Sequence, residues 1–246
     1  MTDNIIVTKE LCKSFAGRLA VNRLSLAVPG GAIYALLGDN GAGKSTTIKM
    51  LTGQDRPDAG RATILGEDCW SRADTLRHRV GYVPERPKYY DWMSVREIGW
   101  FVGGFHRDGY RERFAELTEE LDVDPKQKLG SLSKGGYARV GLALAMAIDP
   151  EVLILDEPTS GLDLLTRREF LSNMVRVAGE GRTVLICSHN IAEVERVASH
   201  VAFVRDGQLL LAGPIDSVKS RYPEDSRSLE DIYEALMRPV VGGEVA

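Results

Sequence analysis

Gly38-Asp39-Asn40-Gly41-Ala42-Gly43-Lys44-Ser45 follows the pattern GxxxxGK[ST], in which a glycine-rich backbone wraps phosphate groups. Ile33 to Leu37 before it is a short apolar run that reads as a buried strand. Thr46 to Leu51 after it has the composition and spacing of a helix. The motif therefore stands in the strand, loop, helix context that its chemistry requires. Glycines at 38, 41 and 43 permit backbone angles that a Cβ forbids, so successive N–H groups along residues 38–46, through Asp39, Asn40, Ala42 and Thr46, can turn toward phosphate oxygens. Lys44 brings a mobile point charge for the β and γ phosphates. Ser45 offers a hydroxyl to Mg²⁺, at a helix N-terminus whose dipole favours an anion.

A chain of 246 residues, 43% hydrophobic, can bury a full core as one large α/β domain with an inserted lobe. The formal net charge of -4 supplies no basic field, which disfavours nucleic acid as the main ligand. Cys12, Cys69 and Cys187 are odd in number and form no CxxC pair. They suit a reducing compartment and read as small buried fillers. Met1 to Glu10 carries charges and lacks the apolar core of a signal peptide. The longest apolar run, Val140 to Ile148, is about half of what a membrane-spanning helix needs. A cytoplasmic chain that does not itself cross a bilayer is expected.

In chain order, residues 5 to 37 read as strands, with Leu24, Leu26 and Val28 alternating and Pro29-Gly30-Gly31 as a turn. This is an antiparallel edge feeding a central sheet. Asp55 to Gly60 reads as loop, Ala62 to Leu65 and Val80 to Val83 as short strands. From Glu85 the chain turns aromatic and charged, with helical spacing at Phe114, Leu117 and Leu121. Val152 to Asp156 and Thr183 to Cys187 are apolar and β-branched, as in strands buried on both faces. Between them, Phe170, Leu171, Met174, Val175 and Ala178 share one face of a crossover helix over 165–178, which implies a parallel sheet. Val201 to Val204 and Gln208 to Leu211 flank a hairpin at Asp206-Gly207. Ser228 to Met237 reads as a surface helix followed by frayed residues. No internal repeat suggests a second module.

The run Val152-Leu153-Ile154-Leu155-Asp156-Glu157 ends an apolar strand in two carboxylates. Beside a phosphate loop, Asp156 can hold Mg²⁺ through water while Glu157 polarises the attacking water. Leu132-Ser133-Lys134-Gly135-Gly136, then Asp156 to Asp163 (DEPTSGLD), then Ser188-His189 form an ordered set that resembles the motifs of ABC-type ATPases. The resemblance covers nearly the whole chain. It implies an α/β fold: a P-loop NTPase core with a mainly parallel central sheet over 1–84 and 152–215, an N-terminal antiparallel β subdomain, an inserted α-helical subdomain over 85–151, and a helical tail over 216–246.

The same resemblance implies roles for single residues. Ser133, Lys134, Gly135 and Gly136, similar to the family signature LSGGQ, would open a helix toward the γ-phosphate bound by an opposing subunit. His189 would contact γ-phosphate and help place water and Glu157. Ser160, Gly161, Leu162 and Asp163 would cross the dimer seam. Phe15 stands where the family stacks an aromatic ring on adenine, so ATP with Mg²⁺ is the expected ligand pair.

Two positions depart from the family pattern. Glu85 stands where a glutamine usually senses Mg²⁺ and the transport partner, so a carboxylate faces the metal. Gly136 stands where the signature has glutamine, which implies a weaker contact across the seam. The leading expectation is the ATPase subunit of a transporter, peripheral on the inner face of the cell membrane. Its partners are a transmembrane permease on a separate chain, docked near the aromatic stretch Pro87 to Trp100, and a second ATPase subunit, as a homodimer. Membrane contact is expected only through the permease. Tyr82 to Glu85 (YVPE) and the tail SLEDIYEAL at 228–236 resemble an export-type branch. A soluble ABC-type ATPase of iron–sulfur cluster assembly shares every catalytic motif and is the alternative; a ribosome-associated ATPase would bring two modules or a long coiled coil.

Overall fold

A computed structural model describes residues 3–224 and 228–237. Among the described residues ten strands form two sheets. The smaller joins β1 (Asn4–Phe15), β2 (Arg18–Pro29), β4 (Ala59–Ile64) and β5 (Glu67–Asp68), all antiparallel, in the order β2-β1-β4-β5. It is a layer of its own and not the expected edge of the central sheet. Strand β4 also begins at Ala59, inside the segment expected as loop, because β1 is long enough to pair with it down to Cys12.

The larger sheet has the order β10-β9-β3-β8-β7-β6. Its members are β3 (Ile33–Leu37), β6 (Val80–Val83), β7 (Val152–Asp156), β8 (Thr183–Ser188), β9 (His200–Arg205) and β10 (Gln208–Pro214). All pairs are parallel except β9 with β10, the hairpin at Asp206-Gly207. Alternation across these strands sorts the core in two. Ala35, Leu37, Leu153, Leu155, Val184 and Ile186 face one buried cluster. Tyr34, Leu36, Ile154, Leu185 and Cys187 face the other, shared with the small sheet.

The first cluster is completed by the inserted helices α3 (Val95–Gly103), α4 (Tyr110–Glu120) and α5 (Lys134–Met146). Phe114, Leu117 and Leu121 are buried there, as their spacing predicts. Ser94 caps α3 in a reciprocal box with Glu97. Helix α5 approaches β6 so closely that a Cβ on Gly81 would stand 2.6 Å from the Ala145 carbonyl oxygen. The second cluster takes in the far side of α1 (Lys44–Leu51), with Ile48 and Met50. Helix α1 starts at Lys44, two residues before the expected Thr46.

Two further expectations change. The crossover helix, α6 (Leu164–Gly179), buries Phe170, Leu171, Met174 and Val177. Val175 is exposed; the seven-residue step from Phe170 to Val177 keeps one face, whereas Val175 falls off it. The last described helix, α9 (Leu229–Met237), lies at the surface with Glu230, Asp231, Glu234 and Ala235 exposed, while Leu229 and Ile232 are buried and Tyr233 stacks on Phe203 with ring centroids 5.5 Å apart. The fraying expected after it falls on residues outside the described ones. Cys69 and Cys187 are buried and free, but Cys12 is only half-buried, its Sγ accepting a hydrogen bond from Arg23 N at 3.3 Å. Among the described residues no helix is long and apolar enough to cross a membrane.

Candidate functional site

Strands β3, β8 and β7 are neighbours in the large sheet, and each ends in a stretch singled out above. The phosphate loop follows β3, His189 follows β8 and Glu157 follows β7. Ligands of open α/β sheets bind at such carboxyl ends. There a cavity of about 650 Å³ is lined by the loop together with Phe15, Glu85, Glu157, Ser160 and His189.

Gly38 and Gly43 are required by contact, and Gly43 by angle as well. A Cβ on Gly38 would stand 2.2 Å from the Val204 carbonyl oxygen, and Gly43 at φ +100 would bring one to 2.4 Å from Ala20 O. Such a cradle, closed against β2 and β9, fits a phosphate and excludes a side chain. Lys44 is buried, its Nζ donating to Gly38 O at 2.6 Å and Asp39 O at 3.2 Å, and lies 3.5 Å from Glu157 Oε1.

Ser45 Oγ donates to Asp156 Oδ1 at 3.2 Å. Burial pushes the Asp156 carboxyl up, the Ser45 hydrogen bond opposes this, and the charges of Glu157 and Glu85 add to the rise. A carboxylate so placed favours a cation. A hydroxyl and one carboxylate fit Mg²⁺, which takes most of its oxygens from phosphate and water. Among the described residues no cluster of three or more His, Cys, Asp or Glu forms a complete metal cage. Glu85 is exposed, 3.4 Å from Arg86 Nε; it lines the cavity and makes no described hydrogen bond to Ser45 or Asp156.

Glu157 adopts a left-handed φ of 49°, which turns the chain sharply out of β7. Its N–H donates to Cys187 O at 2.9 Å and its carbonyl accepts from Ser160 N at 3.1 Å, which holds that turn. Oε2 lies 2.8 Å from His189 Nδ1. Oε1 has no hydrogen-bond partner among the described residues and faces Lys44. One carboxylate oxygen is thus anchored by His189, and the other is buried beside Lys44. Half of the His189 side chain, 51%, is exposed toward the cavity.

Phe15 is 49% exposed, with Lys13 Nζ 5.5 Å from the ring centroid. A free ring face at the cavity suits stacking on a flat base.

The signature segment does not line this cavity. Ser133 is exposed and caps α5, its Oγ accepting from Gly136 N at 3.1 Å. Lys134 Nζ would stand 2.9 Å from a Cβ on Gly161, and Gly135 is pressed against Thr166, with 2.7 Å between its virtual Cβ and Thr166 Cγ2. Residues 133–136 therefore abut the segment 160–163 of the same chain. In that segment Ser160 reaches the cavity and Leu162 is buried. Asp163 caps α6, accepting from Leu165 N and Thr166 N, each at 3.1 Å, and from Thr166 Oγ1. Those bonds hold its carboxyl below the usual range, the Thr166 side chain contributing most.

Tyr137, beside the unusual Gly136, ties the signature helix to the stretch after Glu85. Its hydroxyl donates to Pro87 O at 3.2 Å and accepts from Tyr89 N at 3.0 Å. Beyond that staple, Tyr90, Trp92, Trp100, Phe101 and Phe105 are exposed. Sequence reasoning missed Thr159, Arg167, Asn190 and Glu193, which join one hydrogen-bond network behind the site. A signal was present: Asn190-x-x-Glu193 is a helix-capping spacing.

The ABC transporter family model matches residues 21–160. Nod factor export ATP-binding protein I of Burkholderia lata is 38% identical over 210 residues, which cover 82% of this chain and 68% of that protein. An uncharacterized ABC transporter ATP-binding protein of Synechocystis is 35% identical over 229 residues, 87% of this chain but 64% of that protein. The chain thus spans about two thirds of the length of these relatives. A solved ATP-binding subunit of an ABC transporter superimposes with a TM-score of 0.86 at 26% identity, over 95% of this chain and 100% of that one. Its homologues are transport ATP-binding proteins, and a family match over more than half of its length joins that likeness of fold: this chain belongs to the ABC transporter family, among its ATP-binding proteins.

Proposed function

We propose that this chain binds and hydrolyses ATP to power a membrane transporter whose permease is a separate chain. The observation that carries the reading is the convergence of Lys44, Ser45, Glu157 and His189 on one cavity, with Asp156 bonded to Ser45 behind it and Ser133 exposed outside it. The loop N–H groups and Lys44 hold the phosphates, Phe15 stacks on the base, and Ser45 with Asp156 holds Mg²⁺. When bound, Mg²⁺ neutralises charge on the β and γ phosphates. Glu157 takes a proton from the attacking water while His189 keeps the carboxylate in place. Because Ser133 and its helix N-terminus face away from the chain's own cavity, they are available to the nucleotide of a second copy, and closure of two copies over two nucleotides completes both sites.

The exposed rings Tyr90, Trp92, Phe101 and Phe105, in a row with centroid spacings of 5.5–6.3 Å, support permease docking beside Glu85. Transport is favoured over cluster assembly by these ABC transporter relatives, and export by the Nod factor export protein among them. The chain would sit on the inner face of the cell membrane through that permease.

Affinity purification of the chain from its native cells in mild detergent tests this reading. A polytopic membrane protein retained in the eluate is expected; recovery with soluble scaffold proteins alone would count for the cluster-assembly alternative. Phe15→Ala should raise the Kd for ATP about tenfold, since stacking of a base on an aromatic ring contributes ~1–3 kcal/mol, as read by nucleotide titration. Glu85→Gln should shift the Mg²⁺ dependence of turnover; an unchanged metal titration would remove Glu85 from the metal's surroundings.

A further inference from the structure

The carboxylate of Glu193, on α7 (Ile191–Val194), gathers donors from three separate parts of the site. Thr159 Oγ1 donates to Oε2 at 3.2 Å, Asn190 Nδ2 donates to Oε1 at 2.5 Å, and Arg167 Nη1 pairs with the same Oε1. Each donor adjoins a residue discussed above. Thr159 lies two residues beyond Glu157, and Asn190 directly follows His189. Arg167 donates from Nη2 to Leu162 O at 3.0 Å, inside the segment 160–163.

The network is partly withdrawn from water. Thr159 is buried, and the side chains of Glu193 and Arg167 are 16% and 28% exposed. Arg167 Nε is buried with no hydrogen-bond partner among the described residues, so the guanidinium relies on its Nη bonds. Partners in such surroundings are not exchanged for water at low cost, so the bonded groups move together. Asn190 is gripped twice, because its Oδ1 also accepts from Glu193 N at 3.3 Å. Glu193 itself does not line the nucleotide cavity.

We infer that Glu193 is a positioning residue that joins His189 to the seam segment 160–163, so that a shift of His189 is passed through Asn190 and Glu193 to Arg167 and Leu162. This rests on the ATPase reading above. In Glu193→Gln an amide replaces a carboxylate ringed by donors. Its NH₂ must then face Thr159 or the Arg167–Asn190 pair, and the charge on Arg167 loses its counterion.

The test uses the full chain. Wild-type turnover that Glu157→Gln abolishes establishes the ATPase reading first; its absence would overturn that reading, independently of this network. Against that baseline, Glu193→Gln should lower kcat between about tenfold and a hundredfold, the scale of a small misplacement of catalytic groups. KM for ATP should stay within about twofold, because Lys44 and Phe15 are untouched. Glu193→Asp, which keeps the charge, should recover part of kcat. Thr159→Val removes one donor and leaves the Arg167 pair intact; it should show a smaller loss of the same kind, and it decides the matter if the Gln variant does not fold. Unchanged kcat, or a raised KM at constant kcat, would overturn the proposal, as would a lowered melting temperature with wild-type turnover.

Discussion

Glu157→Gln is expected to cut ATP turnover by about 10²–10⁴-fold while ATP is still bound, the range that a positioned general base contributes. Volume is conserved, so the left-handed turn at residue 157 and its backbone bonds to Cys187 and Ser160 persist. What changes is the carboxylate, whose Oε1 faces Lys44 without a hydrogen-bond partner among the described residues. An amide at that position cannot accept the proton of the attacking water. With hydrolysis blocked, the variant should accumulate as a nucleotide-bound dimer. Phosphate release, nucleotide retention on a filter and mass by light scattering measure the three consequences. Turnover at the wild-type rate would remove Glu157 from the role of base.

Gly43→Ala should unfold the phosphate loop's packing and abolish measurable ATP binding. Two costs add at this position. The φ of +100 is one that an L side chain rarely adopts, at about 1–2 kcal/mol. The new methyl would also stand 2.4 Å from Ala20 O, a backbone atom that cannot turn aside, at about 1–3 kcal/mol. A total near 3 kcal/mol corresponds to a fall in Tm of roughly 6–12 °C for a chain of this size. Gly41→Ala is the matched comparison: φ is +85 but nothing lies within 4 Å of its Cβ. It should lose only the smaller, conformational part. Equal losses in the two variants, by thermal denaturation and ATP titration, would show that the close approach to β2 is not what demands glycine at 43.

Much of the site was legible because its motifs are short and locally encoded. The strand, loop, helix run around Gly38 to Ser45 carries its own reason in glycine, lysine and serine. The carboxylates at 156 and 157 and the histidine at 189 each end an apolar strand that can be read by eye. The errors fall where contact between distant residues decides. Val177 and not Val175 faces the core because the sheet lies on that side of α6.

By itself, then, the sequence determined most of the elements, the phosphate-loop motif and the family. Only the tertiary structure decided that Lys44, Glu157 and His189 share one cavity, that Ser133 stands outside it, and that Glu193 is hydrogen-bonded to Thr159, Asn190 and Arg167. The reason is physical. Caps, turns and strand alternation depend on residues a few positions apart, whereas the order β9-β3-β8-β7 is set by hydrogen bonds between strands far apart in the chain. That order puts three strand ends side by side, and no local pattern records it.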